Sequence, residues 1–330
     1  MIRIGILGAA RIAPRGIVTP ANALLGAEVI AIAARDLGRA RDFAAQHAIP
    51  LVFGSYSELI ARDDIDLVYV ALPPSAHLEW CMAALASGKH VLVEKPFANN
   101  AQDAAQMVAA ARAAGRHLIE GFHYRFHPLF ARTLAALRSG EIGHIRHIEA
   151  VFNANLPDTP GELRYIEALG GGALMDLGCY CMHWIRTVAG DEPTVVSASA
   201  RCVTAGVDVE IEAELAFTSG PTATLRCSMQ PDDGVLLRRL RVRGDRGVLD
   251  LDNPVSPHVG ATLSIESADS PMPEMVSGGD TTFHYQLRQV IDVIEGRAQP
   301  LTGGDDAIGN MRAIDAIYRA AGLKPRGLPG

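Results

Sequence analysis

Over roughly the first 121 residues, short runs that are apolar throughout alternate with stretches of helical periodicity. "IRIGIL" leads into a helix over about 12–24 and "EVIAIAA" into one over 37–47. "DLVYVAL" leads into one near 76–87, "HVLVE" into one near 101–114, and "HLIEG" follows. A strand without a polar face is buried on both faces, and such strands joined by helices form a parallel sheet. The pattern predicts a doubly wound α/β domain over 1–121.

The period changes after Arg125. A helix is predicted over 128–139, and a second begins within "LGGGALMDLGCYCMHW" (169–184). Between 194 and 266 the alternation has period two. In "DVEIEAELAF", Val209, Ile211, Ala213, Leu215 and Phe217 alternate with Glu210, Glu212 and Glu214. In "TATLRCSMQ", Ala223, Leu225, Cys227 and Met229 share one face, and "GDRG" (244–247) joins two further runs as a turn. Strands with one polar face predict an α+β domain over 122–330, built on a large, open-faced, mainly antiparallel sheet. Helical patterns at 281–296 and 304–321 close the chain, the last able to pack back on the first domain. Residues 268–280, with Pro271, Pro273, Gly278 and Gly279, read as a loop.

A length of 330 residues suits two such domains. The formal net charge of -7 disfavours a nucleic-acid partner. No apolar run approaches the ~20 residues a bilayer needs, so no membrane association is expected. The five cysteines include no CxxC pair and read as free thiols of a cytoplasmic protein. "HIRHIE" holds His144, His147 and Glu149, but along a strand His144 points away from the other two, so no metal is expected.

"GILGAARIA" sits where a strand gives way to a helix, the place of a dinucleotide fingerprint. Gly8 takes the first position of G-x-G-x-x-G/A and Ala13 the third, whereas Ala10 replaces the middle glycine. Ala9, Arg11 and Ile12 complete the turn. The second strand ends in Ala33 and Ala34, followed by Arg35 instead of the acid that would bind a ribose hydroxyl. The Arg35 guanidinium, with Arg39 one turn on, suits a 2′-phosphate and favours NADP over NAD. Asp36 competes: it is either the ribose carboxylate of an NAD site or the cap of the next helix. After the fourth strand, "ALPPSAHLEW" places Leu72, Pro73 and His77 at the carboxyl edge of the sheet, where nucleotides bind. His77 there reads more readily as structural than catalytic. The fifth strand ends in Glu94-Lys95-Pro96, with Glu94 and Lys95 pointing oppositely and Lys95-Pro96 a candidate cis peptide.

In "LGGGALMDLGCYCMHW", Asp176, Tyr180 and His183 fall on one side of a helix behind three glycines. The glycines predict close approach of the backbone to a partner. Together with "EKP" and "EGFHYRFHP" (120–128), this stretch resembles the Gfo/Idh/MocA oxidoreductases over nearly the whole chain. It is most similar to their dihydrodiol, D-xylose dehydrogenase and glucose-fructose oxidoreductase branch, which carries D-x-G-x-Y, here Asp176, Gly178 and Tyr180. The resemblance implies a Rossmann domain, a catalytic pair of Lys95 and Tyr180, and an open sheet used for homodimers or higher oligomers. The glycines would bring the helix start close to nicotinamide and substrate. Tyr180 would exchange a proton with the substrate hydroxyl, Lys95 would bind that oxygen and lower the phenol pKa, and Asp176 would orient a neighbouring hydroxyl or Lys95. Tyr124, Arg125 and His183 would border the substrate, Arg125 either binding its oxygens or bracing the domain junction.

The function implied is NADP-dependent hydride transfer at a carbinol or carbonyl carbon of a sugar, polyol or cyclic dihydrodiol. The alternatives are a keto-sugar or dicarbonyl reductase and a non-catalytic NAD(P)-sensing regulator.

Overall fold

The computed structural model describes residues 1–204, 206–267 and 273–328. The chain forms two compact units, one of residues 1–123 with 283–308 and one of 124–282 with 309–330.

In the first unit, β1 (Ile2–Leu7), β2 (Ala27–Ala33), β3 (Leu51–Phe53), β4 (Leu67–Val70), β5 (His90–Val93) and β6 (Leu118–Glu120) pair in the order β3-β2-β1-β4-β5-β6. Every pairing is parallel. The crossovers carry α1 (Thr19–Ala23), α2 (Leu37–His47), α3 (Tyr56–Ile60), α4 (His77–Ala86) and α5 (Ala101–Ala114). A π-helical turn at Pro14–Val18 precedes α1 where one continuous helix over 12–24 is expected. Side chains such as Ile4, Ile6, Ile32, Tyr69 and Leu92 are buried, as unbroken apolar runs require. Asn100 caps α5 by accepting from the Asp103 N–H at 2.9 Å.

The second unit begins with α6 (Pro128–Arg138) and β7 (Ile145–Asn153), followed by α7 (Cys179–Ala189). Then come β8 (Thr194–Thr204), β9 (Val207–Ala216), β10 (Thr222–Ser228), β11 (Leu237–Gly244), β12 (Val248–Asp252), β13 (Ala261–Glu266) and β14 (Glu274–Val276). The eight-stranded sheet runs β14-β13-β12-β11-β7-β10-β9-β8. Only its β7–β10 pairing is parallel. Val209, Ile211, Ala213 and Leu215 on β9, with Ala223, Leu225 and Cys227 on β10, form its buried face, and α7 lies against β7 and β10. The opposite face carries paired charges: Arg201 with Glu210 at 3.0 Å, Arg226 with Glu212 at 2.7 Å and Arg241 with Asp250 at 2.8 Å. His147 on that face is held between the Thr222 and Thr224 hydroxyls at 2.8 and 3.2 Å.

The loop expected over 268–280 contains β14, because Glu274 to Val276 pair with β13 through the backbone. Pro271 lies outside the described residues. Of the closing helices, α8 (Thr282–Ile294) places Leu287, Val290, Ile291 and Val293 in the first unit's core. The apolar stripe of α8 is thus satisfied far back in sequence, in the core cluster that holds Ile2, Val29 and Ile49. The last helix, α9 (Gly304–Ala320), has its first turn in the first unit and the remainder in the second. No helix among the described residues is long and apolar enough to cross a membrane.

Candidate active site

In the first unit, β1 is flanked by β2 and β4, which is where the strand order reverses. Gly8 follows β1 at this switch point, with φ +99° and its N–H on the Ala33 carbonyl at 2.8 Å. A Cβ at Gly8 would lie 2.6 Å from the Ala71 carbonyl oxygen, so only glycine passes between the ends of β2 and β4. Ala9, Ala10 and Ile12 are half-buried and Arg11 is exposed. The glycine that Ala10 replaces is therefore not the one the turn depends on.

Beyond β2, Asp36 caps α2, its Oδ1 accepting from the Arg39 N–H at 3.1 Å. The carboxylate that competed for a ribose hydroxyl is engaged by its own helix. Arg35 and Arg39 are exposed, and Arg39 Nη2 donates to the Ala9 carbonyl at 3.1 Å. One guanidinium thus touches the glycine turn itself.

Leu72 and Pro73, after β4, are half-buried, and His77 is fully buried. The His77 ring lies between the Leu72 carbonyl, 2.9 Å from Nε2, and those of Pro96 and Phe97, 3.1 and 3.2 Å from Nδ1. Burial holds the ring below its ordinary pKa although all three carbonyls pull the other way. His77 ties together the loops after β4 and β5, a structural task.

The Lys95-Pro96 peptide is cis. Glu94 is buried and accepts from the Tyr69 hydroxyl at 2.5 Å, whereas Lys95 is half-buried. Burial pushes the Glu94 carboxyl up, against the opposing pull of the Tyr69 bond and the Lys95 charge.

In the second unit, a π-helical turn at Leu174–Gly178 runs directly into α7. Asp176 on this turn is half-buried, and Tyr180 and His183 are buried. Arg164 Nε donates to Asp176 Oδ2 at 2.6 Å, and Arg164 Nη1 donates to Glu162 Oε1 at 2.8 Å. Burial works against the Arg164 charge, yet the two carboxylates hold its pKa above the ordinary value. The Tyr180 ring centroid lies 5.6 Å from Phe152, 6.0 Å from Tyr124 and 6.3 Å from Trp184. The Tyr124 hydroxyl is hydrogen-bonded to His183 Nδ1, and the Arg125 guanidinium lies 5.6 Å over the Phe130 ring. Tyr124 and His183 are thus brought together, while Arg125 packs back on α6.

The glycines before Asp176 lie close to other parts of the chain. A Cβ at Gly171 would lie 2.6 Å from the Arg164 carbonyl oxygen. Gly172 has φ +137°, and its missing Cβ leaves room for Asp208, Arg326 and Tyr318. Protein backbone and buried polar side chains occupy that space, which by itself requires glycine at these two positions.

Sequence reasoning also missed Arg164, Glu162 and the Asp208 network. Arg164 and Glu162 lie within "NANLPDTPGELRY" (153–165), which has no periodicity to aim a side chain. Asp208 has the polar parity of β9 but is buried, at a place where the β8–β9 register shifts on both sides of Cys202. Among the described residues no group of three or more His, Cys, Asp or Glu side chains could hold a metal ion.

Comparison with known proteins agrees with this geometry. Residues 2–122 match the oxidoreductase family with NAD-binding Rossmann fold, and residues 130–250 match the GFO/IDH/MocA C-terminal domain. The chain is 33% identical over 320 residues to D-xylose 1-dehydrogenase (NADP(+)) 2 of Haloferax volcanii, covering 96% of both chains. It is 32% identical to the trans-1,2-dihydrobenzene-1,2-diol dehydrogenase of Sus scrofa, over 78% of this chain and 75% of that one. Among solved structures, KijD10, a 3-ketoreductase from Actinomadura kijaniata in complex with NADP and TDP-benzene, superimposes with a TM-score of 0.88. Identity there is 31%, and 99% of each chain is covered.

Proposed function

The chain belongs to the Gfo/Idh/MocA oxidoreductases, and from that premise we propose an NADP-dependent enzyme acting at a CH–OH or carbonyl carbon of a sugar, polyol or cyclic dihydrodiol. The observation that carries the cofactor reading is the engagement of Asp36 in its own helix cap, beside an exposed Arg35 and an Arg39 bonded to the glycine turn. Bound NADP supplies the hydride acceptor, and NADPH the donor.

The chain's own residues do the rest. Gly8 to Ile12, with Arg35 and Arg39, bind the dinucleotide, and Leu72, Pro73 and Glu94 border it. His77 keeps the loops after β4 and β5 in register. Lys95 donates a hydrogen bond to the reacting oxygen. Tyr180 holds the proton that leaves that oxygen on oxidation or returns to it on reduction. A phenol has an ordinary pKa near ~10, so the Lys95 charge has to favour the phenolate for oxidation at neutral pH. Asp176, fixed by Arg164, accepts from a neighbouring substrate hydroxyl. Tyr124 and His183 support the Tyr180 ring.

A second reading, reduction of a keto-sugar, is favoured by the likeness to a 3-ketoreductase along nearly its full length. The same residues serve both directions. We further propose a homodimer through the charged open face of the sheet, and a cytoplasmic protein. The free thiols of Cys81, Cys179, Cys181, Cys202 and Cys227 suit a reducing compartment.

The test offers purified protein NADP or NADPH with panels of aldoses, polyols, dihydrodiols and keto-sugars, next to Tyr180→Phe. Turnover that this substitution lowers by about 100-fold or more supports the reading. Tight NADP binding without turnover on any panel would leave a dinucleotide sensor as the better description. Sedimentation of the native chain checks the dimer.

A further inference from the structure

We propose that Arg326 and Asp208 are positioning residues for the reaction, fixing the start of the helix that carries Asp176 and Tyr180. The proposal rests on the reading of Tyr180 as the acid–base group.

Both members of the pair are fully buried, with Arg326 Nη2 2.6 Å from Asp208 Oδ1. Burying two charges away from water is costly, and such a pair persists where its remaining polar atoms are also satisfied. Here they are. The second Asp208 oxygen, Oδ2, accepts from the Leu174 N–H at 2.7 Å. Oδ1 also accepts from the Tyr318 hydroxyl at 2.9 Å. Arg326 Nε donates to the Gly171 carbonyl and Nη1 to the Gly206 carbonyl, both at 2.7 Å. The guanidinium lies 4.4 Å over the Tyr318 ring.

Two of these contacts land on the segment that launches the catalytic helix. Leu174 is the first residue of the π-helical turn, two before Asp176 and six before Tyr180. Its N–H is one of the donors a helix start leaves without a partner in the helix, and a carboxylate there also complements the helix dipole. Gly171 is held from the other side by its carbonyl. Between the two contacts Gly172 has no side chain, and the space is taken by Asp208, Arg326 and Tyr318. The glycine run therefore lets a buried ion pair grip the backbone just ahead of Asp176. At the far end of this turn Asn310 on α9 donates to the Cys179 carbonyl at 3.3 Å. A helix gripped in this way cannot slide or rotate without breaking charge-assisted bonds in the interior. The phenol and carboxylate it carries are thereby held in place, and displacement of a reacting group by about 1 Å can cost about 100-fold in rate.

A merely structural pair would behave differently when both charges are replaced by apolar side chains of similar volume. Such replacements commonly keep or raise stability. The double variant Asp208→Leu with Arg326→Met removes both grips without leaving a lone buried charge. Thermal melting, amide hydrogen exchange by mass spectrometry and steady-state kinetics are then compared with the native full chain. The expected result is a melting temperature lowered by the Leu174 N–H, Tyr318 hydroxyl and Gly171 carbonyl left without these partners, exchange at 171–180 at least about 10-fold faster, and kcat about 10- to 100-fold lower with KM for NADP unchanged. Native exchange over 171–180, or faster exchange with native kcat, would overturn the proposal. Should the double variant not fold, Arg326→Lys, which keeps the charge but cannot reach Gly171, Gly206 and Asp208 together, is read in the same way. Exchange decides the grip on the helix independently of turnover. An inactive native chain would instead count against the enzymatic reading itself.

Discussion

Arg164 holds Asp176 through its Nε at 2.6 Å while its Nη1 holds Glu162 at 2.8 Å, so one guanidinium orients two carboxylates. Asp176 is then neither a mobile base nor a free anion.

Replacing Arg164 tests this arrangement. The Arg164 side chain is 35% exposed, but the Glu162 and Asp176 side chains it holds are only 10% and 17% exposed, so removing it leaves two largely buried carboxylates without this counter-charge. Arg164→Met is expected to lower kcat/KM by about 10- to 100-fold and to lower the urea midpoint as well. Arg164→Lys should recover only part of that, since an ammonium cannot reproduce the fork between two carboxylates. Steady-state kinetics and a urea melt of both variants check this.

Arg35 and Arg39 predict the cofactor preference. A charge-assisted bond contributes about 1.5–3 kcal/mol, which is about 10- to 100-fold in affinity. Arg35→Ala should weaken NADP by that factor and leave NAD nearly unchanged. Arg39→Ala should weaken both, because Arg39 also holds the Ala9 carbonyl of the glycine turn at 3.1 Å. Titration of each dinucleotide by protein fluorescence distinguishes the two patterns.

Gly172→Ala tests the packing of the glycine run. The new methyl group meets the buried Asp208, Arg326 and Tyr318 groups, at a backbone φ of +137° that side chains avoid. Overpacking and backbone strain each cost about 1–3 kcal/mol, so a loss of about 3–5 kcal/mol is expected. Gly161→Ala is the control. Its φ is +82°, but nothing lies within 4 Å of the new methyl, and a loss near ~1 kcal/mol is expected. Urea unfolding of both variants gives the difference.

Much of this architecture was legible in the chain because buried strands and amphipathic helices leave strong periodicities. The runs ending in Leu7, Ala33, Val70 and Val93 are the central strands of the first sheet, and the alternation around Ile211 and Leu225 is that of the second. The cap at Asp36 was one of two open readings, since the same carboxylate suits a ribose as well as a helix N-terminus. What the sequence concealed depends on contacts without a local pattern. Arg164 reaches Asp176 from an aperiodic segment. Arg326 follows the last helix in "LKPRG" and meets Asp208, 118 positions earlier, only after folding. Gly172 showed that close approach was needed but not to what. The stripe on α8 was readable as a helix face, while its partner in the first unit was not, because nothing in a stripe specifies which core it enters.

His90 sets an acid limit on the first unit. Its ring stacks on His117 with centroids 5.2 Å apart, and its Nδ1 accepts from the His117 N–H at 3.1 Å. Burial and then the neighbouring His117 and Arg116 charges bring its pKa down to about 4, against a small opposing pull from Asp66. Protonation would also place a hydrogen on the nitrogen that now accepts. An unfolded histidine titrates near ~6.5, so between that value and about 4 the unfolded chain holds a proton that the folded chain does not. The stabilisation is complete above ~6.5 and is lost as the pH falls through that window. A full shift of this size would correspond to about 3 kcal/mol, and partial exposure of the ring reduces it to about 1–2 kcal/mol. His90→Asn is expected to flatten the fall in stability between about pH 6.5 and 4 while leaving NADP affinity unchanged at pH 7. Urea midpoints at half-unit pH intervals measure the slope. An unchanged slope would mean that the acid sensitivity of this unit lies in other groups.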